Sequence, residues 1–371
     1  MTRILIFIIA LTVISCNDNE EEHEAPGVLY EHEMISEVLS LDNEVLLEKN
    51  LPLVSAVSVV TTDPNNNIYL ADPRTMKLHS FSPELVYRWS AGGRGSGPGE
   101  FEMISSIYAD EEFVYLYDFP SATVSRYSTA GERIDEWSFG EGGHRINFIN
   151  RMNSGEFITT GWRDDTQTVV NLYTEDFRER SGSFIEKDQV FITDHENLER
   201  QIFQNFPGVI LPVHNDLLLY VPKIYSGKIL KIEPDDSGEW TGKNWLSGYE
   251  EIDEPVRLHL SADGDHERSH FSGFNPAGGY FHTEFLSMSH GLYELENGQV
   301  AHLSTRLNDN DMWDLIIEQF HKRSLDLNNT LVLENFIPSQ QPQQMPLWMD
   351  KDGIIYITEN SDKPLRVITI E

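Results

Sequence analysis

Five of the 13 histidines, His259, His266, His270, His282 and His290, fall within one stretch that also holds Asp263 and Asp265. Imidazoles and carboxylates at this density are the donor set of a transition-metal site, with His259, His266 and His270 its first candidates. Their spacing fits neither a helix face nor a hairpin, and SADGDHERSH from Ser261 to His270 reads as a polar loop. Loop histidines are therefore the plainer reading, and no metal is assigned. Nucleophilic chemistry finds less support. Ser96 lies between Gly95 and Gly97, but Arg94 and Pro98 occupy the two positions at which a nucleophile elbow needs glycine. Gly95, Gly97 and Glu100 do not make the GxGxxG of a dinucleotide loop, no Lys-Ser or Lys-Thr follows for a phosphate loop, and HExxH is absent. A scattered polar set remains: Arg74, Arg94, Glu100, Asp118, Arg126 and Arg163, at or near predicted turns.

The bulk composition narrows the partners such residues could meet. With 27 basic and 61 acidic side chains the formal charge is −34, which repels phosphate backbones and anionic lipid heads and excludes nucleic acid. A solvated surface that resists aggregation accounts for the excess acid. The one cysteine, Cys16, follows a polar start at Thr2-Arg3 and an uncharged run from Ile4 to Ile14. At about 1.5 Å per helical residue that run spans only about 16 Å, so it is a signal segment and not a finished transmembrane helix. Val13-Ile14-Ser15-Cys16 resembles the lipobox of bacterial lipoproteins, which implies cleavage after residue 15 and lipid on Cys16. The acidic stretch behind it, NDNEEEHEAPG, has nothing to bury and reads as a tether over 16–28. It resembles the surface-export signal of some Gram-negative lipoproteins. An outer-membrane lipid anchor, with the cell surface as its further destination, is the expected address, and the lipid is the expected link to the membrane.

What must position the polar residues is a repeat. Asp63-Pro64-Asn65-Asn66-Asn67 leads into Ile68-Tyr69-Leu70, and Asp72-Pro73-Arg74 leads into Leu78-His79-Ser80-Phe81. The same order recurs from Asp110 to Tyr127, and weaker anchors stand at Asn153, Asn215, Glu296 and Asp350. Six anchors at intervals of roughly 40–80 residues predict six β units, two of them carrying insertions. Helical periodicity appears only near 194–206, where Leu198, Ile202, Phe203 and Phe206 share a face, and near 311–322, with Trp313, Ile316, Ile317 and Phe320. Each is expected to be a short helix over the ring. The last unit is one strand short, so either Ser36–Leu41 or Glu44–Leu47 is expected to close the ring beside the C-terminal strand.

Residues 63–139 resemble the repeat of NHL-type and TolB-like six-bladed β-propellers, through DPNNNIYLADPRTMKLHSF and the glycine-rich link GRGSGPGEF. The resemblance implies an all-β fold: a single six-bladed propeller over 29–371 with mainly four-stranded antiparallel blades. In GRGSGPGEF the glycines serve the turn from one blade to the next, and Phe101 is expected to plug between blades. Under this fold Arg74, Arg94, Glu100, Asp118, Arg126 and Arg163 would line a mouth of the central channel. Propellers also include calcium-dependent hydrolases or lactonases and quinone-dependent sugar dehydrogenases, for which Asp72, Asp118 and Asn215 would be the strand-end ligand candidates. Asp at such a position more often caps its own turn. The expectation is a monomeric binding or scaffold module for a glycan, peptide or protein. No cofactor is expected, Ca²⁺ being the ion that the enzymatic alternative would bring.

Overall fold

The computed structural model describes residues 27–30, 35–119, 121–139, 145–161, 167–186, 189–190, 207–214, 216–261, 271–274, 280–337, 346–359 and 361–370. Six antiparallel sheets stand around a ring. Their innermost strands are Val59–Thr62, Ile104–Ala109, Phe148–Arg151, Val209–His214, Ser287–Glu294 and Leu347–Met349, which we number blades 1 to 6, and each contacts the next, the sixth returning to the first. Every interface between blades is an apolar cluster drawn from both sheets, for example Tyr69, Leu78, Phe101, Ile107 and Leu116 between blades 1 and 2.

Five of the six predicted anchors, at Asp63, Asp110, Asn153, Glu296 and Asp350, fall on the same turn, the one joining the first and second strands of a blade, and the sixth, Asn215, lies outside the described residues. The chemistry of that turn is clearest in blades 1 and 6. Asp63 Oδ1 accepts the N–H groups of Asn65 and Asn67, and Oδ2 accepts the Tyr69 hydroxyl at 2.9 Å. Asp350 accepts the N–H groups of Asp352 and Ile354 and the Tyr356 hydroxyl, also at 2.9 Å. A carboxylate that folds the turn thus also satisfies a buried phenol six residues later.

The ring closes by strands from both ends of the chain. Ile35–Leu41 pairs antiparallel with Leu365–Ile370 as the outer strand of blade 6, while Glu44–Leu47 lies in the short helix Asn43–Glu48, capped by Asp42. One pairing goes beyond the expectation: Gly27–Tyr30 adds a parallel fifth strand to the outer edge of blade 5. Just before the glycine-rich link, Gly92 ends the outer strand of blade 1 with φ +90°, and a Cβ there would collide with the Phe101 ring, which is buried between blades 1 and 2 as predicted.

The expected helix at 311–322 is instead the third strand of blade 5, Trp313–His321. Both faces of this strand are buried. Trp313, Leu315 and Ile317 pack toward blade 6, and Phe320 packs toward blade 4. Apolar residues on two buried faces of an extended strand imitate the i, i+3, i+4 pattern of a helix. The other helical expectation, near 194–206, lies outside the described residues. The long interval between the anchors at 215 and 296 holds a three-stranded sheet, Val256–Ser261, Tyr280–Phe285 and Phe271–Phe274, inserted between blades 4 and 5.

Candidate functional site

Antiparallel blades have two kinds of end. Turns joining first to second and third to fourth strands share one face of the ring, while turns joining second to third strands share the other face with the links between blades. Arg74, Arg94, Glu100 and Asp118 belong to the second face, and Arg163 lies outside the described residues. Arg74 is exposed, and Arg94 donates to the carbonyls of Pro73 and Arg74 at 3.3 Å. Glu100 turns back on its own link to accept the Gly97 N–H at 3.0 Å.

Asp118 is buried and binds backbone. Its Oδ1 accepts the Met103 N–H at 2.6 Å, and its Oδ2 accepts the Ser121 hydroxyl. Asp72 does the same work one blade earlier, accepting the N–H groups of Ser55, Arg74 and Thr75. These acids cap turns and pin the link that enters the next strand. Asn215 lies outside the described residues.

The histidine stretch is split by the inserted sheet. His259 stands opposite His282 on neighbouring strands, and His282 Nδ1 bonds the Ser272 hydroxyl at 2.7 Å. His290 sits on the inner strand of blade 5 against Thr305 Oγ1, and burial holds its ring neutral well below the usual imidazole range, helped by the charges of Lys223 and His302. His266 and His270 lie outside the described residues. Among the described residues no group of three or more His, Cys, Asp or Glu is arranged to hold a metal ion.

Arg126 is on the first face, where it meets a feature that the sequence did not reveal. A cleft of about 550 Å³ opens between blades 2 and 3, lined by Asp110, Glu111, Glu112 and Phe113 from the first turn of blade 2, and by Tyr115 and Arg126 behind them. Arg151, Glu175 and Asp176 of blade 3 form the opposite wall. The arginines are held in place. Arg126 makes a two-pronged pair with Asp135, at 2.9 and 3.0 Å, and lies 4.8 Å over the Phe113 ring. Arg151 pairs with Asp110 at 3.1 Å, donates to the Gly155 carbonyl, and lies 5.1 Å over Phe157. Burial, then the Asp110 charge, pushes the Tyr115 phenol up, so it stays a protonated donor. Among the described residues Glu111, Glu112 and Glu175 have no ion-pair partner and are exposed. The volume is that of a small-ligand cleft, while the lining is mostly charged, with Phe113 and Tyr115 its aromatic members. The signal in the sequence was weak: Asp110-Glu111-Glu112 reads as a turn, and only the ring brings Glu175 to it.

A second polar constellation is hidden in blade 5. His302 Nε2 bonds Ser289 Oγ at 2.9 Å, and His302 Nδ1 bonds Glu318 Oε2 at 2.6 Å, the order of a serine–histidine–acid relay. The Tyr225 hydroxyl donates to the same Glu318 oxygen at 2.8 Å, and the Tyr249 N–H donates to the other. Burial pushes the Glu318 carboxyl up, but these donors outweigh it and hold the group below the usual range. Ser289, His302 and Glu318 are at most 1% exposed, which leaves a substrate no approach to the hydroxyl. The relay is a clamp between the middle of blade 5 and the segments that leave blade 4. A Cβ at Gly248 would overlap both Glu318 and the Tyr225 hydroxyl, so this clamp requires glycine beside it.

No family model and no curated protein matches the chain. Solved structures of similar fold include an exported protein from Bacteroides fragilis, 11% identical over 93% of this chain and 99% of that one, with a TM-score of 0.51. A member of the DUF4221 family from Bacteroides vulgatus is 9% identical over 92% of this chain and 98% of that one, with a TM-score of 0.52. A streptogramin B lyase aligns at 10% identity over 85% of this chain and 80% of that one, with a TM-score of 0.45. At these identities the likeness concerns the fold alone.

Proposed function

We propose that the protein is an exported, lipid-anchored binding module. On this reading residues 1–15 are removed, Cys16 carries the lipid, the tether runs from residue 16 to the strand that begins at Gly27, and the propeller presents its cleft to a peptide, protein or glycan in the envelope or at the cell surface. The observation that carries the binding role is the cleft between blades 2 and 3, whose arginines and aromatic rings are fixed before any ligand arrives. A site already ordered gives up little side-chain entropy on binding. In support of export, the N-terminal residues have the order of a lipoprotein signal, and one structural neighbour is itself described as exported. For a calcium-type hydrolase or lactonase, or a sugar dehydrogenase, Asp72 and Asp118 are the nearest strand-end acids. Their oxygens are occupied by backbone N–H groups and the Ser121 hydroxyl.

The test is a comparison on peptide and glycan arrays between the mature domain and Glu175→Trp, which places an indole across the cleft from an exposed turn position. Ligands retained by the parent should be weakened at least about tenfold by the variant, as expected when a shaped cleft is blocked. An identical binding profile for the two proteins would remove the cleft from the proposal.

A further inference from the structure

We propose that the cleft between blades 2 and 3 receives a cationic side chain, a lysine or arginine presented by a peptide. This rests on the reading of that cleft as the binding site and adds the class of ligand. The cavity already shows how it treats cations, since Arg126 and Arg151 each lie over a phenylalanine ring and against a carboxylate. Guanidinium and ammonium groups are favoured in such places by the negative face of the ring together with the acid.

The internal cations are neutralised by Asp135 and Asp110. Among the described residues no unpaired cation then lines the cavity, whereas Glu111, Glu112 and Glu175 stand at it with no ion pair. An anionic ligand would meet three uncompensated carboxylates and no counter-charge. A neutral sugar would leave the same three carboxylates without a counter-charge, whereas a cation supplies one. The formal charge of −34 draws a basic peptide toward the molecule from a distance, so the cleft has only to supply the local fit.

The experiment separates the cleft from the overall charge. A dansyl-labelled tetra-arginine peptide and an uncharged glycine–serine peptide of equal length are titrated in about 0.15 M salt, where charges beyond roughly 8 Å are screened. Three proteins are compared: the parent, Glu111→Gln/Glu112→Gln/Glu175→Gln, and Asp236→Asn/Glu239→Gln/Asp253→Asn. The last carries the same charge change at exposed positions of blade 4 and the loop behind it. We expect saturable binding of the arginine peptide alone, weakened at least about tenfold by the cleft variant and less than about twofold by the control. Equal weakening by both variants, or no saturable binding by the parent, overturns the proposal. If the Glu175→Trp protein nevertheless loses its array ligands, the cleft stands and only the cationic class falls.

Discussion

His79 is the residue whose placement costs the fold most visibly. It lies on the third strand of blade 1, fully buried, with neither ring nitrogen hydrogen-bonded. Burial lowers its pKa from the usual 6.5 to about 4, with Asp72 pulling back only in part. The ring is therefore neutral when folded and takes a proton readily when unfolded. Because the folded value is the lower one, stability is full above about pH 6.5, falls as pH drops, and stops falling near pH 4. A gap of this size corresponds to about 2–4 kcal/mol across that window. We expect His79→Leu, which removes the unpaired nitrogens at similar volume, to flatten the stability curve between pH 7 and pH 4.5 in urea denaturation. A mutant curve parallel to the parent's would show that another group sets the acid response. Asp63, Asp72, Asp118 and Asp350 belong to the opposite group: each is buried, and each satisfies several donors of its own turn or entering link.

At the scale of elements, one tie between blades repeats at two successive interfaces. Trp89 on the outer strand of blade 1 donates its indole N–H to the Thr129 carbonyl in blade 2 at 3.0 Å. Trp137, at the matching place in blade 2, donates to the Phe177 carbonyl in blade 3 at 2.8 Å. Each Trp→Phe change should cost about 1–2 kcal/mol, through one lost hydrogen bond and some ring area. The costs should add to within about 0.5 kcal/mol, since they belong to different interfaces. Denaturant midpoints of the two single variants and the double variant give the check, and a single variant as stable as the parent would show that the tie does not hold the blades. These ties also mark what could be read from sequence. The first turns were legible because an Asp or Asn that folds a turn must sit at a fixed offset from its strand. Trp313–His321 was misread because both its faces are buried, which erases the alternation that identifies a strand. The Ser289–His302–Glu318 clamp was not legible, and of the cleft only Arg126 and the turn at Asp110 were. Their members are joined by register and by ring closure, neither of which leaves a spacing in the chain.

For the whole molecule, the N-terminal segment decides whether the ring exists and, if the anchor is right, where it sits. Ile35–Leu41 is the only strand covering the Leu365–Ile370 edge among the described residues, and Leu39 and Leu41 feed the core cluster shared by blades 6 and 1. Gly27–Tyr30 only extends blade 5 by one parallel strand. Removing residues 1–34 should therefore leave a cooperative fold. Removing residues 1–41 should open blade 6, expose an unpaired edge, and give a protein that aggregates or melts without a sharp transition. Cooperative unfolding of the shorter chain would mean that Ile35–Leu41 is dispensable for closure. From Gly27 back to Cys16 the chain, fully extended at about 3.3–3.6 Å per residue, has a reach of up to about 40 Å. Lipid on Cys16 would keep the ring within that distance of a bilayer. In the intact chain Cys16→Ser should then release the protein from the membrane fraction and lower its mass by the acyl groups. A protein that stays membrane-bound at unchanged mass would require an attachment other than this cysteine.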